Sequence, residues 1–350
     1  MRYMKKVSVV ILNWNGIGML QKFLPDVVKY SQGEGVEVCV ADNASTDASC
    51  AWVREAFPDM RLIVLDKNYG FADGYNKALQ QVEAEYVVLL NSDVEVTPHW
   101  LDPMLSYMEE HADVAACQPK IRSERNKEYF EYAGAAGGYL DKYGYPFCRG
   151  RIFDVVEKDV GQYDTIQPIF WATGAALFIR LKDYREVGGL DGRFFAHMEE
   201  IDLCWRLRSR GRKLVCIPQS VVYHVGAATL KKENPRKTFL NFRNNLLMLY
   251  KNLPEKELWK VLFVRGFLDW LAVLFFLLKM DGKNARAVMQ ARKEFKRLCP
   301  DFVVSRAENM LKAADVSIPE KVGYSILWKF HLAKKRAFSS LLPDNDSGCA

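Results

Sequence analysis

The chain has 350 residues, 49% of them hydrophobic and 26% charged, the composition of a globular protein with room for one large core or two smaller ones. Its eight cysteines, at 39, 50, 117, 148, 204, 216, 299 and 349, form no C-x-x-C pair, which excludes a zinc site or disulfide framework built on that spacing. The net charge of +6 is unevenly spread: residues 1–228 carry 26 Lys and Arg against 31 Asp and Glu, and residues 229–350 carry 23 against 12, so two different surfaces are expected.

Met1 to Lys6 is basic, but the apolar run behind it, Val7 to Leu12, is too short for a signal sequence and ends in Asn13-Trp14-Asn15-Gly16. It reads as a first strand with its exit turn, so the catalytic part is expected in the cytoplasm with reduced thiols. A helix follows through Met19 to Tyr30. Val36 to Ala41 is a second strand ending at Asp42-Asn43, and Ser45, Thr46 and Asp47 offer caps for a helix through Phe57. Arg61 to Leu65 is a short third strand, and Asn68 to Asn76 a glycine-bearing loop entering a helix through Gln81. Tyr86 to Leu90, stopped by Asn91-Ser92-Asp93, is the pattern of a strand buried on both faces. This alternation predicts an α/β fold with a mostly parallel sheet.

Open α/β sheets bind ligands outside the carboxyl ends of their strands, where Asp42 and Asp93 stand. On an extended backbone Asn91, Asp93 and Glu95 share one side, a spacing able to hold Mg²⁺ or Mn²⁺ against a diphosphate. An Asx turn at Asp93 accounts for the same residues. Asp42 is either a turn former or an acceptor for a base or ribose hydroxyl. Gly16-Ile17-Gly18 lacks the third glycine of a dinucleotide fingerprint and no phosphate-binding G-x-x-x-x-G-K-[ST] loop occurs, which argues against a dinucleotide oxidoreductase and a P-loop nucleotidase.

Residues 114–180 look antiparallel and irregular, and the small residues Gly174 to Ala176 suit either a close ligand or tight strand packing. Glu199, Glu200 and Asp202 stand just before an amphipathic helix through Arg210. They complement its dipole, or one of them is a general base. Lys213 to Pro218 and Val221 to His224 read as strands, with His224 a core residue or a ligand. Arg236 to Tyr250 reads as a helix.

Val261 to Met280 is strongly apolar but interrupted by Arg265 and Asp269, four residues apart on one helix face. The uninterrupted run, Trp270 to Leu278, has nine residues, against the roughly 20 a spanning helix needs. An interfacial helix is favoured, because Lys279, Lys283, Arg286, Arg292, Lys293, Lys296 and Arg297 follow and suit anionic lipid. A core helix packed on the domain or on a partner subunit is the alternative. Lys329 to Arg336 is a second basic stretch, and Pro343 to Ala350 is expected to be disordered. The apolar content assigns the basic tail to lipid, with no nucleic-acid partner.

In their order and spacing, Val9 to Gly16, Val40 to Asp47, Asn68 to Asn76 and Leu89 to Asp93, completed by Gly188 to Leu203 and Tyr223-His224, resemble a glycosyltransferase of family 2 with the GT-A fold, and most closely its bacterial rhamnosyltransferase-like members. The resemblance covers about residues 5–250. It implies a GT-A domain over residues 1–250, with a nucleotide-binding half to about 115 and an acceptor half beyond, then a helical tail over 251–340 and a disordered end over 341–350. It places Asn13 and Asp42 at the nucleotide base and ribose and Asn68, Gly70 and Asn76 near the donor diphosphate. Asn15, Asn43 and Ser92 complete the donor-binding set. Asp93 and His224 would take Mg²⁺ or Mn²⁺, and Glu200 would be the catalytic base. Two departures stand out: the family's Asp-x-Asp is Asn91-Ser92-Asp93 here, and its Glu-Asp pair is Glu199-Glu200.

The implied activity is inverting transfer of a sugar from a UDP- or dTDP-sugar, dTDP-rhamnose among them, to a hydroxyl of a surface polysaccharide or lipid-linked glycan. The expected location is the inner face of the cytoplasmic membrane, with contact through residues 261–297 and possible oligomers through the C-terminal helices. An inactive transferase-like scaffold is the rival that Asn91 suggests. A sugar-phosphate nucleotidyltransferase would need a Gly-rich, Arg- or Lys-bearing loop where Asn13-Trp14-Asn15-Gly16 stands.

Overall fold

In the computed structural model, which describes residues 5–226 and 234–341, strands and helices alternate through the first third of the chain. They are β1 (Lys5–Asn13), α1 (Ile17–Tyr30), β2 (Val36–Asp42), α2 (Ser49–Ala56), β3 (Arg61–Val64), α3 (Gly70–Leu79) and β4 (Ala84–Asn91). The chain continues through β5 (Val94–Val96), α4 (Asp102–Glu110) and β6 (Val114–Ser123). Four short strands follow: β7 (Gly138–Leu140), β8 (Pro146–Cys148), β9 (Arg151–Ile152) and β10 (Val155–Val156). Then come β11 (Gln167–Pro168), β12 (Ala176–Arg180), α5 (Leu181–Glu186), α6 (Glu199–Ser209) and β13 (Lys213–His224).

The main sheet runs β11-β13-β6-β12-β4-β1-β2-β3, with β5 added on β13. Strands β4, β1, β2 and β3 are parallel, as the alternation predicts, and β12 is inserted antiparallel between β4 and β6. The side-chain period of two divides the core. Tyr86, Val88 and Leu90 of β4 face the cluster under α1, α2 and α4, while Val87 and Leu89 face the cluster under α3, α5, α6 and the helices beyond. Burial on both faces is why β4 is a continuous apolar run.

Two expectations change. Within residues 114–180, β6 is a long strand that pairs parallel with β13, a partner too far along the chain for local pattern to reveal. Lys213–His224 is one strand, not two, with its register shifted between Ile217 and Val221 where Pro218 cannot donate to the ladder.

Beyond the sheet lie α7 (Pro235–Asn252), α8 (Glu255–Leu278), α9 (Gly282–Leu298) and α10 (Val303–Lys312). They are built into the same core. Phe302, Ile326 and Phe338 belong to the cluster of Phe130, Leu177 and Trp205. Arg306 donates to the carbonyls of Tyr250 and Leu253, and Asn309 to Asn252 at 3.0 Å. Nearly all of the expected disordered end, from residue 342, lies outside the described residues.

Candidate functional site

The carboxyl ends of β1, β2 and β4 converge, with Asn13 opposite Asp42 and Leu12 opposite Asn91 in register. Asp42 is buried. Its carboxylate accepts from Asn13 Nδ2 at 3.1 Å and from the Ser45 backbone N–H at 2.8 Å, so it shapes the turn. Asn13 also donates to Ser45 Oγ at 3.2 Å, and Asn15 Oδ1 accepts from the Thr46 backbone at 2.7 Å. The loops after β1 and β2 are thereby stapled together. The Asn13 Oδ1 atom is buried with no hydrogen-bond partner among the described residues, an acceptor left open to a ligand N–H. Gly16 is required beside it, because a Cβ there would stand 2.5 Å from that oxygen.

Asn43 holds the next loop. Its amide donates to Asn68 Oδ1 at 3.0 Å and Gly70 O at 2.9 Å, and its oxygen accepts from the Tyr69 N–H at 2.9 Å. Gly70 has φ +74°, and its α-carbon faces the Phe195 ring so closely that a Cβ would lie 3.1 Å from it. Asn76, expected near the diphosphate, has its side-chain amide engaged within the protein. Its amide donates to Leu190 O at 2.7 Å and to Asp73, and its oxygen accepts from Tyr184 OH at 2.7 Å and the Leu190 N–H at 3.0 Å. It bolts α3 to the loop before α6.

The second corner is built by β4, β5 and β13. The chain turns at Ser92-Asp93 rather than running straight, so the one-sided array of Asn91, Asp93 and Glu95 does not form. Glu95 pairs instead with Lys127. Asp93 meets His224, which β13 brings from the other end of the domain, with Oδ1 3.1 Å from Nε2. Asn91 Nδ2 is 3.5 Å from the same ring nitrogen, and Ser92 lies in the turn between them. On the far side of the ring, Nδ1 is 3.4 Å from the buried Glu131 carboxylate. Burial opposes charge on His224, but the flanking Asp93 and Glu131 carboxylates outweigh it and push its pKa up to about 10. Sequence reading missed Glu131, which follows Glu124 and Glu128 in an irregular, charged stretch and carries no local signal of its own.

Among the described residues no three His, Cys, Asp or Glu side chains converge as a complete metal site. Asp93 and, once its Nε2 proton is displaced, His224 nonetheless fit a divalent cation. Mg²⁺ and related ions commonly take one or two protein ligands and complete their shell with substrate phosphates and water. A carboxylate on the distal ring nitrogen, as Glu131 is, commonly orients a metal-binding imidazole.

The third corner is the start of α6. Phe195, His197 and Met198 all have left-handed backbones, with φ of 67°, 70° and 73°. Such strain in non-glycine residues collects at working sites. Glu199 is buried and Glu200 half-buried, and each leaves its Oε2 without a partner among the described residues. Burial raises both carboxyls above the usual glutamate range, and the neighbouring Glu200 charge holds Glu199 higher still. His197 is driven the other way by burial, down to about 4. Asp202 is fully buried and committed, accepting from Arg206 at 2.9 Å and from Lys251 and Asn252 at 2.7 Å each. That leaves Glu199 and Glu200 as the acids with free oxygens.

Gly174 joins the corners. A Cβ on it would lie 3.0 Å from the Phe71 ring and 3.9 Å from Glu200 Cβ, and the next residue, Ala175, accepts the Asn91 backbone N–H at 3.0 Å.

Residues 8–159 match the family model described as "Glycosyl transferase family 2". The N-acetylglucosaminyl-diphospho-decaprenol L-rhamnosyltransferase of Mycobacterium tuberculosis is 25% identical over 232 residues, covering 62% of this chain and 75% of that protein. Of solved structures, S. aureus TarS 1-349 in complex with UDP-GlcNAc superposes with a TM-score of 0.55 at 16% identity, over 88% of this chain and 89% of that one. GalNAc-T7 with UDP, GalNAc and Mn²⁺ gives 0.56 at 14% identity, over 72% of this chain and 48% of the other, so this chain spans about half of that protein. These structural likenesses show the GT-A fold.

Proposed function

We propose that this chain, a glycosyltransferase of family 2 with the GT-A fold, moves a rhamnosyl or hexosyl group from a nucleoside-diphosphate donor to a hydroxyl of a lipid-linked or surface glycan. The observation that carries this reading is the placement of the Asp93–His224 couple and the strained Glu199–Glu200 start of α6 around Gly174, beside the carboxyl ends of three parallel strands. The relatives support the substrate class. One is named for rhamnosyl transfer to a diphosphate-linked lipid, and solved neighbours hold UDP-linked sugar or UDP with Mn²⁺.

Each part of the cleft has a task on this reading. The open Asn13 oxygen takes an N–H of the nucleotide base, while Asn15 and Asp42 keep the surrounding turn in shape. Asn43, Asn68 and Gly70 shape the loop that borders the diphosphate. Asp93 and His224 would hold Mg²⁺ or Mn²⁺, and that ion supplies positive charge against the departing diphosphate. Glu200 accepts the proton of the acceptor hydroxyl. The hydroxyl oxygen bonds to the anomeric carbon as the bond from that carbon to the diphosphate breaks, so one displacement inverts the centre. Glu199, with its pKa raised further, stays protonated while Glu200 ionises.

The test is turnover with a panel of UDP-, dTDP- and GDP-sugars and a diphosphate-lipid glycan acceptor. One donor is expected to release its nucleoside diphosphate, and Asp93→Ala to abolish the release. Folded wild-type protein that consumes none of them would favour the scaffold reading that the uncharged Asn91 suggests.

A further inference from the structure

α8 is sorted inside out along its middle. The two charged residues there face the protein: Arg265 is 1% exposed and Asp269 0%. Arg265 donates to Tyr143 O at 3.0 Å and to Asn245, lies 3.5 Å from Asp269, and stacks on Tyr145; Asp269 also meets Arg292. Its aromatic residues face outward: Trp259 is 62% exposed, Phe263 82%, Phe267 64% and Trp270 59%, with Leu274 and Leu278 continuing the line. At spacings of four, four, three, four and four these six residues form one stripe along the helix. A contiguous apolar surface of this kind on a soluble fold marks an interaction site.

The helix is long enough to cross a bilayer, but its packing sets another orientation. Leu258, Val261, Arg265, Asp269 and Val273 are buried at spacings of three and four, so one side of α8 rests on the protein for most of its length. A helix held in that way lies along a surface.

Charge indicates which surface. Lys279 and Lys283 are exposed at one end of the stripe; at the other, Lys256 and Lys260 are exposed beside Glu255 and Glu257, whose carboxylates are paired with Arg306 and Lys321 at 2.8 Å each. A groove of about 460 Å³ between α7 and α9 is lined by Arg236, Phe239, Lys283, Arg286 and Gln290, with no acidic side chain among the described residues. Lys283 follows the exposed Met280 by three residues, so the groove adjoins the end of the stripe, and Arg236 also lies over the Phe195 ring at 5.3 Å, which packs on Gly70 of the donor loop.

We infer that the outer face of α8 docks flat on an anionic phospholipid bilayer, with the cationic α7–α9 groove beside it facing lipid phosphate. Apolar side chains buried in the acyl boundary beside Lys and Arg at the headgroups are the composition of an interfacial helix. The inference deepens the lipid-linked acceptor reading, because it would hold the cleft at the surface where such an acceptor resides.

Flotation of the full chain with phosphatidylcholine vesicles, with and without phosphatidylglycerol, tests it. The chain should float with the anionic vesicles, and the paired substitution Phe263→Asp with Phe267→Asp should lower that partition by roughly tenfold or more. Lys283→Glu with Arg286→Glu should weaken binding to the anionic vesicles only. All four side chains are exposed, so circular dichroism and nucleoside-diphosphate binding should stay at wild-type values, which separates a failure here from a failure of the donor reading. Wild-type flotation by the aspartate pair would overturn the inference. So would a chain that stays off both vesicles and sediments as a dimer which the aspartate pair makes monomeric, since a second copy would then be the occupant.

Discussion

Glu199 and Glu200 are neighbours of like charge, and only one of them suits the work of a base. Burial raises both, and Glu199 also faces the charge of Glu200, so Glu200 is the one that ionises first. A base with a raised pKa is more effective at taking a hydroxyl proton. Glu200→Gln should cut turnover by roughly 10²–10⁴ while leaving nucleoside-diphosphate affinity nearly unchanged. In the wild type, kcat/KM should rise with pH along a limb lying above the usual glutamate range, and the residual activity of the variant should lack that limb. Wild-type turnover in the glutamine variant would move the role to Glu199. Asp202 would answer differently. It holds Arg206, Lys251 and Asn252 in a buried network, and breaking such a pair leaves an uncompensated charge. Asp202→Ala should therefore lower stability by roughly 3–5 kcal/mol, read from denaturant unfolding.

At the scale of elements, the site is made by loops that lean on one another. The Gly70 turn touches Phe195, and Phe195 opens the left-handed run that aims Glu199 and Glu200. Gly70→Ala should cost about 1–2 kcal/mol for the left-handed backbone alone. It should also weaken donor binding, because the new Cβ pushes on the Phe195 ring; a KM unchanged from wild type would show that the two loops are not coupled. Much of this was legible in the residues. The strand ends at Asn13, Asp42 and Asn91 could be read because an apolar run stopped by Asn and Asp is a local signal. Glu131 as the far partner of His224 could not, because it sits in an irregular stretch, and neither could the turn at Ser92-Asp93, which leads into β5 where Val94 pairs with His224, 130 residues on. The same distance effect hid the role of Asn76, whose partners other than Asp73 are Tyr184 and Leu190, more than 100 residues on.

For the whole molecule, α8 has one face packed on the protein and one exposed apolar face, so the alternatives of an interfacial and a packed helix do not exclude each other. The spacing of Arg265 and Asp269 announced a shared helix face, and tertiary partners turned that face inward. The core role of Phe302, Ile326 and Phe338 was not legible, because no local pattern ties them to Phe130 or Trp205. Truncation after Leu253 should accordingly yield insoluble protein, by uncovering α7 and stranding the carbonyls that Arg306 satisfies, whereas a soluble, folded product would show that residues 5–253 fold alone. The central claim is that the cleft of Asp93, His224 and the three strand ends holds a nucleoside diphosphate with a divalent cation. Calorimetric titration of the full chain with UDP, dTDP and GDP, with and without Mn²⁺, measures it most directly. One nucleotide should bind, only with the metal, and Asp93→Ala should lose that binding; well-folded protein that binds none of them, or binds equally without metal and without Asp93, would contradict it.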